Sequence, residues 1–238
     1  MKRVDSVISL IYSMSKAEKK AFSVQMLKDK EEKDYLVIYD IITKSKQLDS
    51  KNVKGEFHKR RPGGSFEVSI QYLYERLTDS LLTLRKKKDI YYDLLNNLCK
   101  ARMLYERSLF EECFEILSDT IEQATYYENN EVLTIALKLE LEYLLRLNFP
   151  NLAESELYHK HFMQNEALKK TRKIVEQSSL HNLLKYRLSH IGSIRTSKQK
   201  QDMNDLMVNE LSIAASSGIE GNFELMRNHR LFQANYLM

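Results

Sequence analysis

The sequence contains no tryptophan, two prolines, six glycines and two cysteines among 238 residues. Such a shortage of chain breakers excludes turn-rich β folds, which need Gly and Pro at their reversals, and favours long helices with short connections. Two cysteines, Cys99 and Cys113, cannot form a disulfide framework and lack metal-ligand spacing. Both fall on helical apolar positions and are read as small core residues in a reducing, cytoplasmic compartment. No apolar run approaches the roughly 20 residues that a bilayer span needs, so no membrane partner is expected. The N-terminal MKRVDSVISLIYSMS has a basic start, but Asp5 and several serines interrupt its apolar part and it has no small-residue cleavage site. It reads as a helix of the mature protein. P-loop, G-x-G-x-x-G, H-E-x-x-H and C-x-x-C patterns are also missing, so neither an enzyme nor a cofactor is expected.

What the chain does contain is helical periodicity. In Ala101 to Ala124, ARMLYERSLFEECFEILSDTIEQA, Ala101, Leu104 and Tyr105 close one helix. After a tight turn, Phe110, Cys113, Phe114, Leu117, Ile121 and Ala124 mark one face of a second. Neither helix can bury its stripe alone, and stacked helix hairpins solve that problem. The spacing predicts further helices over 131–147, 151–168, 171–191, 202–216 and 220–237, with a loop from Gly192 to Gln201. The helix over 131–147 is apolar around most of its circumference and should lie between neighbours.

Before residue 89 the spacing predicts helices over 4–13, 16–27, 33–45, 50–58 and 66–86. Ser15-Lys-Ala-Glu18 reads as a capping box that starts the second of these. Pro62, Gly63 and Gly64 turn the chain, and Ser65 is the expected N-cap of 66–86. Along that last helix Ile70, Leu73, Tyr74, Leu77, Leu81 and Leu84 share a face.

Charge divides the chain in the same place. Residues 1–88 hold 20 Lys and Arg against 12 Asp and Glu, whereas residues 89–238 hold 17 against 21. This predicts a basic N-terminal helical subdomain (1–88) and an acidic array of antiparallel helix hairpins (89–238).

The hairpin at 101–124 resembles a tetratricopeptide repeat, a helix–turn–helix unit with small residues where its helices cross. Ala101, Cys113 and Thr120 fall at small positions, Leu104 and Leu117 at large ones, and Phe110 at the aromatic that opens the second helix. Asn97 stands where the family commonly has tryptophan, and Thr125 where it has proline. The whole chain is also similar to uncharacterised bacterial helical-repeat proteins, a resemblance that carries no activity. The repeat resemblance implies an all-α superhelix acting as a scaffold that binds another protein or peptide on its concave face.

Tyr91, Tyr92, Tyr105, Tyr126, Tyr127 and Tyr143 are the expected lining of that face, since tyrosine combines contact area with a hydroxyl. The alternative is a nucleic-acid-binding regulator. In it the predicted helices 33–45, 50–58 and 66–86 form a helix-turn-helix reader, and Lys59, Arg60, Arg61, Arg85, Lys86, Lys87 and Lys88 meet phosphates. Glu156-Leu-Tyr-His159 matches half of a di-iron carboxylate site, but no second E-x-x-H completes it, so no metal is expected. His161, four residues after Leu157, is read as a packing residue. The last helix is apolar to its end at Met238, which points to a longer repeat protein or to self-association through this helix.

Overall fold

The computed structural model describes residues 2–26, 33–44, 49–86, 88–191, 196–216 and 222–237. Most of the charged link expected after Leu27, Lys87, the start of the loop expected from Gly192, and Gly218 and Gly221 lie outside the described residues. The described residues form eleven helices and no strand. The chain divides into two compact units, Met1–Asp93 and Leu94–Met238.

The first unit holds α1 (Lys2–Ser13), α2 (Lys16–Met26), α3 (Asp34–Lys44), α4 (Ser50–Arg60) and α5 (Phe66–Lys86). Its core is built on α3, whose DYLVIYDII run buries Tyr35, Val37, Ile38, Tyr39, Ile41 and Ile42. Such a run leaves no solvent face except at Asp34, Leu36 and Asp40, so α1, α4 and α5 pack around it. On α5, Phe66, Ile70, Leu73 and Leu77 form the buried stripe. The capping box is present: the Ser15 N–H donates to Glu18 Oε2 at 2.7 Å, and the Glu18 N–H donates to Ser15 Oγ at 3.3 Å. Gly64 is a close approach, because a Cβ there would stand 2.8 Å from the Phe57 ring and from Asp34 Oδ2.

The second unit follows from a regular beat. Helices α6 (Ile90–Glu106, its first turn in the first unit), α7 (Phe110–Tyr126) and α8 (Asn130–Arg146) each have 17 residues. Each ends in the same way. The Ser108 and Leu109 N–H groups donate to the Tyr105 and Leu104 carbonyls. Glu128 and Asn129 repeat this onto Thr125 and Ala124, and Asn148 and Phe149 onto Leu145 and Leu144. This paired bonding is the Schellman closure, and it requires a left-handed residue: Ser108, Glu128 and Asn148 have φ of 61°, 54° and 59°. Successive helices therefore start at 90, 110 and 130. Two such helices take about 40 residues, longer than the 34 of a tetratricopeptide repeat.

Ala101, Cys113, Leu117, Thr120 and Ala124 are all fully buried. The Thr120 hydroxyl is satisfied by the Ile116 carbonyl at 2.6 Å. Helix α8 is the inner helix, packed on both α7 and α9 and burying nine of its residues.

Three expectations are corrected here. Residues 151–168 and 171–191 are one helix, α9 (Glu154–Ile191), 38 residues long. No Gly or Pro lies between Pro150 and Gly192, so nothing interrupts the hydrogen-bond ladder near Lys170. The loop expected to Gln201 ends earlier, since α10 (Ser197–Ser216) already includes 197–201. Cys99 is exposed and only Cys113 is buried. Leu94, Leu98 and Ala101 are the buried residues of α6, and Cys99 lies about 100° round the helix from Leu98.

The layered order stops along α9. Its second half packs with α10 and α11 (Phe223–Leu237), which also pack on each other. Leu184, Met203, Leu206 and Phe232 form the apolar centre. The polar residues of α9 serve this junction. Gln177 donates to Glu210 Oε1 at 3.1 Å, His229 Nδ1 meets the same oxygen at 2.7 Å, and Asn228 donates to Ser178 at 3.1 Å. Burial holds the His181 imidazole below its usual range, with Lys185 adding to the effect. The inner face of α11 is thus covered within the chain, while Phe223 and Leu237 remain exposed.

Candidate functional site

Helices α7 and α9 lie on either side of α8, and a trough runs between them. One end is a hollow of about 330 Å³ whose floor is Leu137 and Glu140 of α8. Ser118 and Ile121 of α7 form one wall, and Ser155, Glu156, His159, Lys160 and Met163 of α9 the other. A second hollow of about 910 Å³ shares Ser118, Ile121 and Met163 with the first and extends past Glu122 and Thr125 to Tyr126 and Tyr127. The helical period accounts for the walls. On α7 the buried positions are Cys113, Leu117, Thr120 and Ala124, so 118, 122 and 125 turn out along the trough.

Glu140, like Glu210, is a buried carboxylate. Its side chain is 8% exposed, on the innermost helix, and its Oε1 accepts from Lys160 Nζ at 2.8 Å. Lys160 is 25% exposed and, among the described residues, is the only Lys or Arg lining either cavity. Glu140 Oε2 is enclosed and has no hydrogen-bond partner among the described residues. An isolated buried carboxylate is costly, so this pair holds charge at the floor of the trough for which packing alone gives no reason.

The six tyrosines fall into three pairs. Tyr126 and Tyr127 reach the trough, 78% and 53% exposed, with rings edge to face at 4.9 Å. Tyr105 and Tyr143 instead stack on each other between helices. Burial, with Cys113 beside it, pushes the Tyr143 hydroxyl above its usual range. Tyr91 and Tyr92 belong to the first unit, exposed and edge to face at 6.0 Å.

The basic cluster is internally paired. Lys59 meets Glu56 at 2.6 Å, Arg60 meets Asp40 at 3.1 Å and Arg61 lies 3.7 Å from Asp34. Partial burial works against the charged form of Asp40, but hydrogen bonds from Lys44 and Arg60 overcome it and hold the carboxyl below its usual range. Arg85, Lys86 and Lys88 cluster at the end of α5, and Lys87 lies outside the described residues. A separate hollow of about 390 Å³ in this unit has Val4, Phe66 and Ile70 at its base and Arg3, Lys51, Lys54 and Glu67 around it. Lys54 is held there by Glu67 at 2.5 Å.

Sequence reasoning passed over Ser118, Glu140, Lys160 and Met163. The signal for Glu140 was there: it is a carboxylate three residues after Leu137 and four before Leu144, on the apolar face of the most buried helix. Glu156 and His159, weighed above as half a metal site, line the trough, and His161 is exposed rather than packed because it points away from α8. Among the described residues no group of three or more His, Cys, Asp or Glu is placed to hold a metal ion, and no helix is long and apolar enough to cross a membrane. Set against protein-family profiles, curated proteins and solved structures, the chain matches none.

Proposed function

We propose that the protein is a non-enzymatic interaction module, with the trough between α7 and α9 as its seat for a peptide or partner helix. One observation carries this reading: two adjoining open hollows between helices join exposed tyrosines at one end to a buried ion pair at the other. Concave sites with apolar walls and a few placed polar groups are where proteins hold ligands. Exposed Tyr at such a site supplies contact area at low entropy cost. The successive packing of α7, α8 and α9, and the equal lengths of α6, α7 and α8, are what favour an array resembling tetratricopeptide repeats with a longer period. The nucleic-acid reading is weaker, because Lys59, Arg60 and Arg61 already face carboxylates that a phosphate would have to displace.

The test is capture from cell extract by the wild-type chain and by Ser118→Trp, which places an indole where the two hollows meet. Ser118 is exposed, so the variant should melt within a few degrees of wild type. A saturable partner held by wild type and lost by Ser118→Trp supports the proposal. A partner held equally by both, or none at all, ends it.

A further inference from the structure

Resting on the reading of the trough as a docking site, we infer that its occupant is a basic segment, and that one lysine or arginine of that segment is received at Glu140. The argument is one of charge. Helix α7 carries Glu111, Glu112, Glu115, Asp119 and Glu122 and no Lys or Arg. Of the charged residues lining the two hollows, Asp119, Glu122, Glu140 and Glu156 are acidic and Lys160 alone is basic. Low-dielectric walls focus such a field, so an acidic segment is repelled and a basic one is drawn in.

The second observation is the state of Glu140. A carboxylate offers two oxygens, and a guanidinium or a pair of ammonium groups can use both. Here Lys160 uses one, while Oε2 is enclosed without a partner. Lys160 is a quarter exposed on a flexible four-carbon stem, so it can move toward Glu156 and the mouth of the trough as an incoming cation takes its place. Through that exchange the Glu140 carboxylate stays paired. At the open end Tyr126 and Tyr127 present ring faces and edges to solvent, where a second cation of the same segment gains a cation–π contact. Met163 and Ile121 between them suit the apolar side chains of an amphipathic helix.

The experiment is fluorescence anisotropy on the full chain with three labelled amphipathic peptides of about 15 residues. They share one leucine stripe and carry arginine, glutamine or glutamate on the other face. Binding is measured at about 0.05 M and 0.15 M salt. The arginine peptide should bind at least about tenfold tighter than the glutamine peptide, and the glutamate peptide weakest of the three. Glu140→Gln should weaken the arginine peptide by about tenfold while leaving the glutamine peptide unchanged. Should that variant fail to fold, the exposed pair Asp119→Asn and Glu122→Gln tests the same point, by weakening the arginine peptide and flattening its salt dependence. If the glutamine or glutamate peptide binds as tightly as the arginine one, and Ser118→Trp abolishes this, the charge assignment is overturned while the docking site stands. If no peptide binds, or all bind Ser118→Trp equally, the docking site itself falls.

Discussion

Tyr105 and Tyr143 lie face to face with ring centroids 3.7 Å apart and planes 7° from parallel. The contact joins the end of α6 to the last turns of α8, two helices further on, and Phe110 closes on the Tyr105 ring at 5.3 Å. Side chains of α6, α7 and α8 thus meet at one aromatic junction. Tyr143→Ala should therefore cost about 3 kcal/mol of unfolding free energy, in the range of buried aromatic truncations. A double-mutant cycle with Tyr105→Ala should return a coupling of about 0.5–1.5 kcal/mol. Denaturant unfolding of the four proteins measures both, and a coupling near zero would show that the rings merely coincide.

The cysteines give a chemical check on helix register. Cys99 is exposed and Cys113 fully buried. Burial raises the Cys113 thiol pKa, and a backbone contact with Tyr105 offsets this only in part. A thiol reagent should therefore label one cysteine in the native protein and both after unfolding. Cys113→Arg should destabilise by about 3 kcal/mol or more, because it overpacks a close crossing and buries a charge. Rapid labelling of two thiols in the native state would displace α7 from its assigned register.

Ser108 occupies the left-handed position that closes α6, with φ of 61°. Glycine adopts that conformation without the Cβ penalty. Ser108→Gly should thus stabilise the protein by up to about 1 kcal/mol, seen as a raised Tm. Glu128 is a poorer choice for the same change, because its Oε2 also accepts from the Phe223 N–H at 2.8 Å and ties α11 to the turn.

Glu18 sets a pH signature. The backbone hydrogen bond from Ser15 lowers its pKa first, followed by the Ser15 side chain, and the Arg85 and Lys88 charges add to this. A carboxyl whose folded pKa is depressed contributes stability above its unfolded value, about 4.3, and that contribution is lost as pH falls through the folded value. The Tm gap between wild type and Glu18→Gln should hold at neutral pH, start to close near the unfolded value and vanish in more acid solution. A gap that widened on acidification would contradict the capping box.

The helices of the first unit could be read from the sequence because each carries local markers. The S-K-A-E box starts α2, and the stripe through Ile70, Leu73 and Leu77 defines α5. The continuity of α9 was harder to see. Its apolar residues fall on both sides: Ala167 and Leu184 are buried, while Tyr158, Phe162, Val175 and Tyr186 are exposed. This blurs the helical period on which a single-helix reading depends, and the polar spacing at 178–182, inside the helix expected over 171–191, belongs to an interface with α11. The trough was not legible at all, since it joins residues of three helices and depends on the turn geometry at Glu128 and Asn148. Of the six tyrosines expected along a concave face, Tyr126 and Tyr127 line the larger hollow, and Glu140 was passed over because an apolar helix invites the reader to discount its one buried charge.

The proposed docking site lies between α7 and α9. Its most direct test is amide hydrogen exchange of the full chain with and without the arginine peptide or a captured partner. Slowed exchange concentrated in 116–127 and 154–164, and lost in Ser118→Trp, is the predicted result. Protection confined to α4 and α5, or unchanged exchange throughout at saturating ligand, would contradict it.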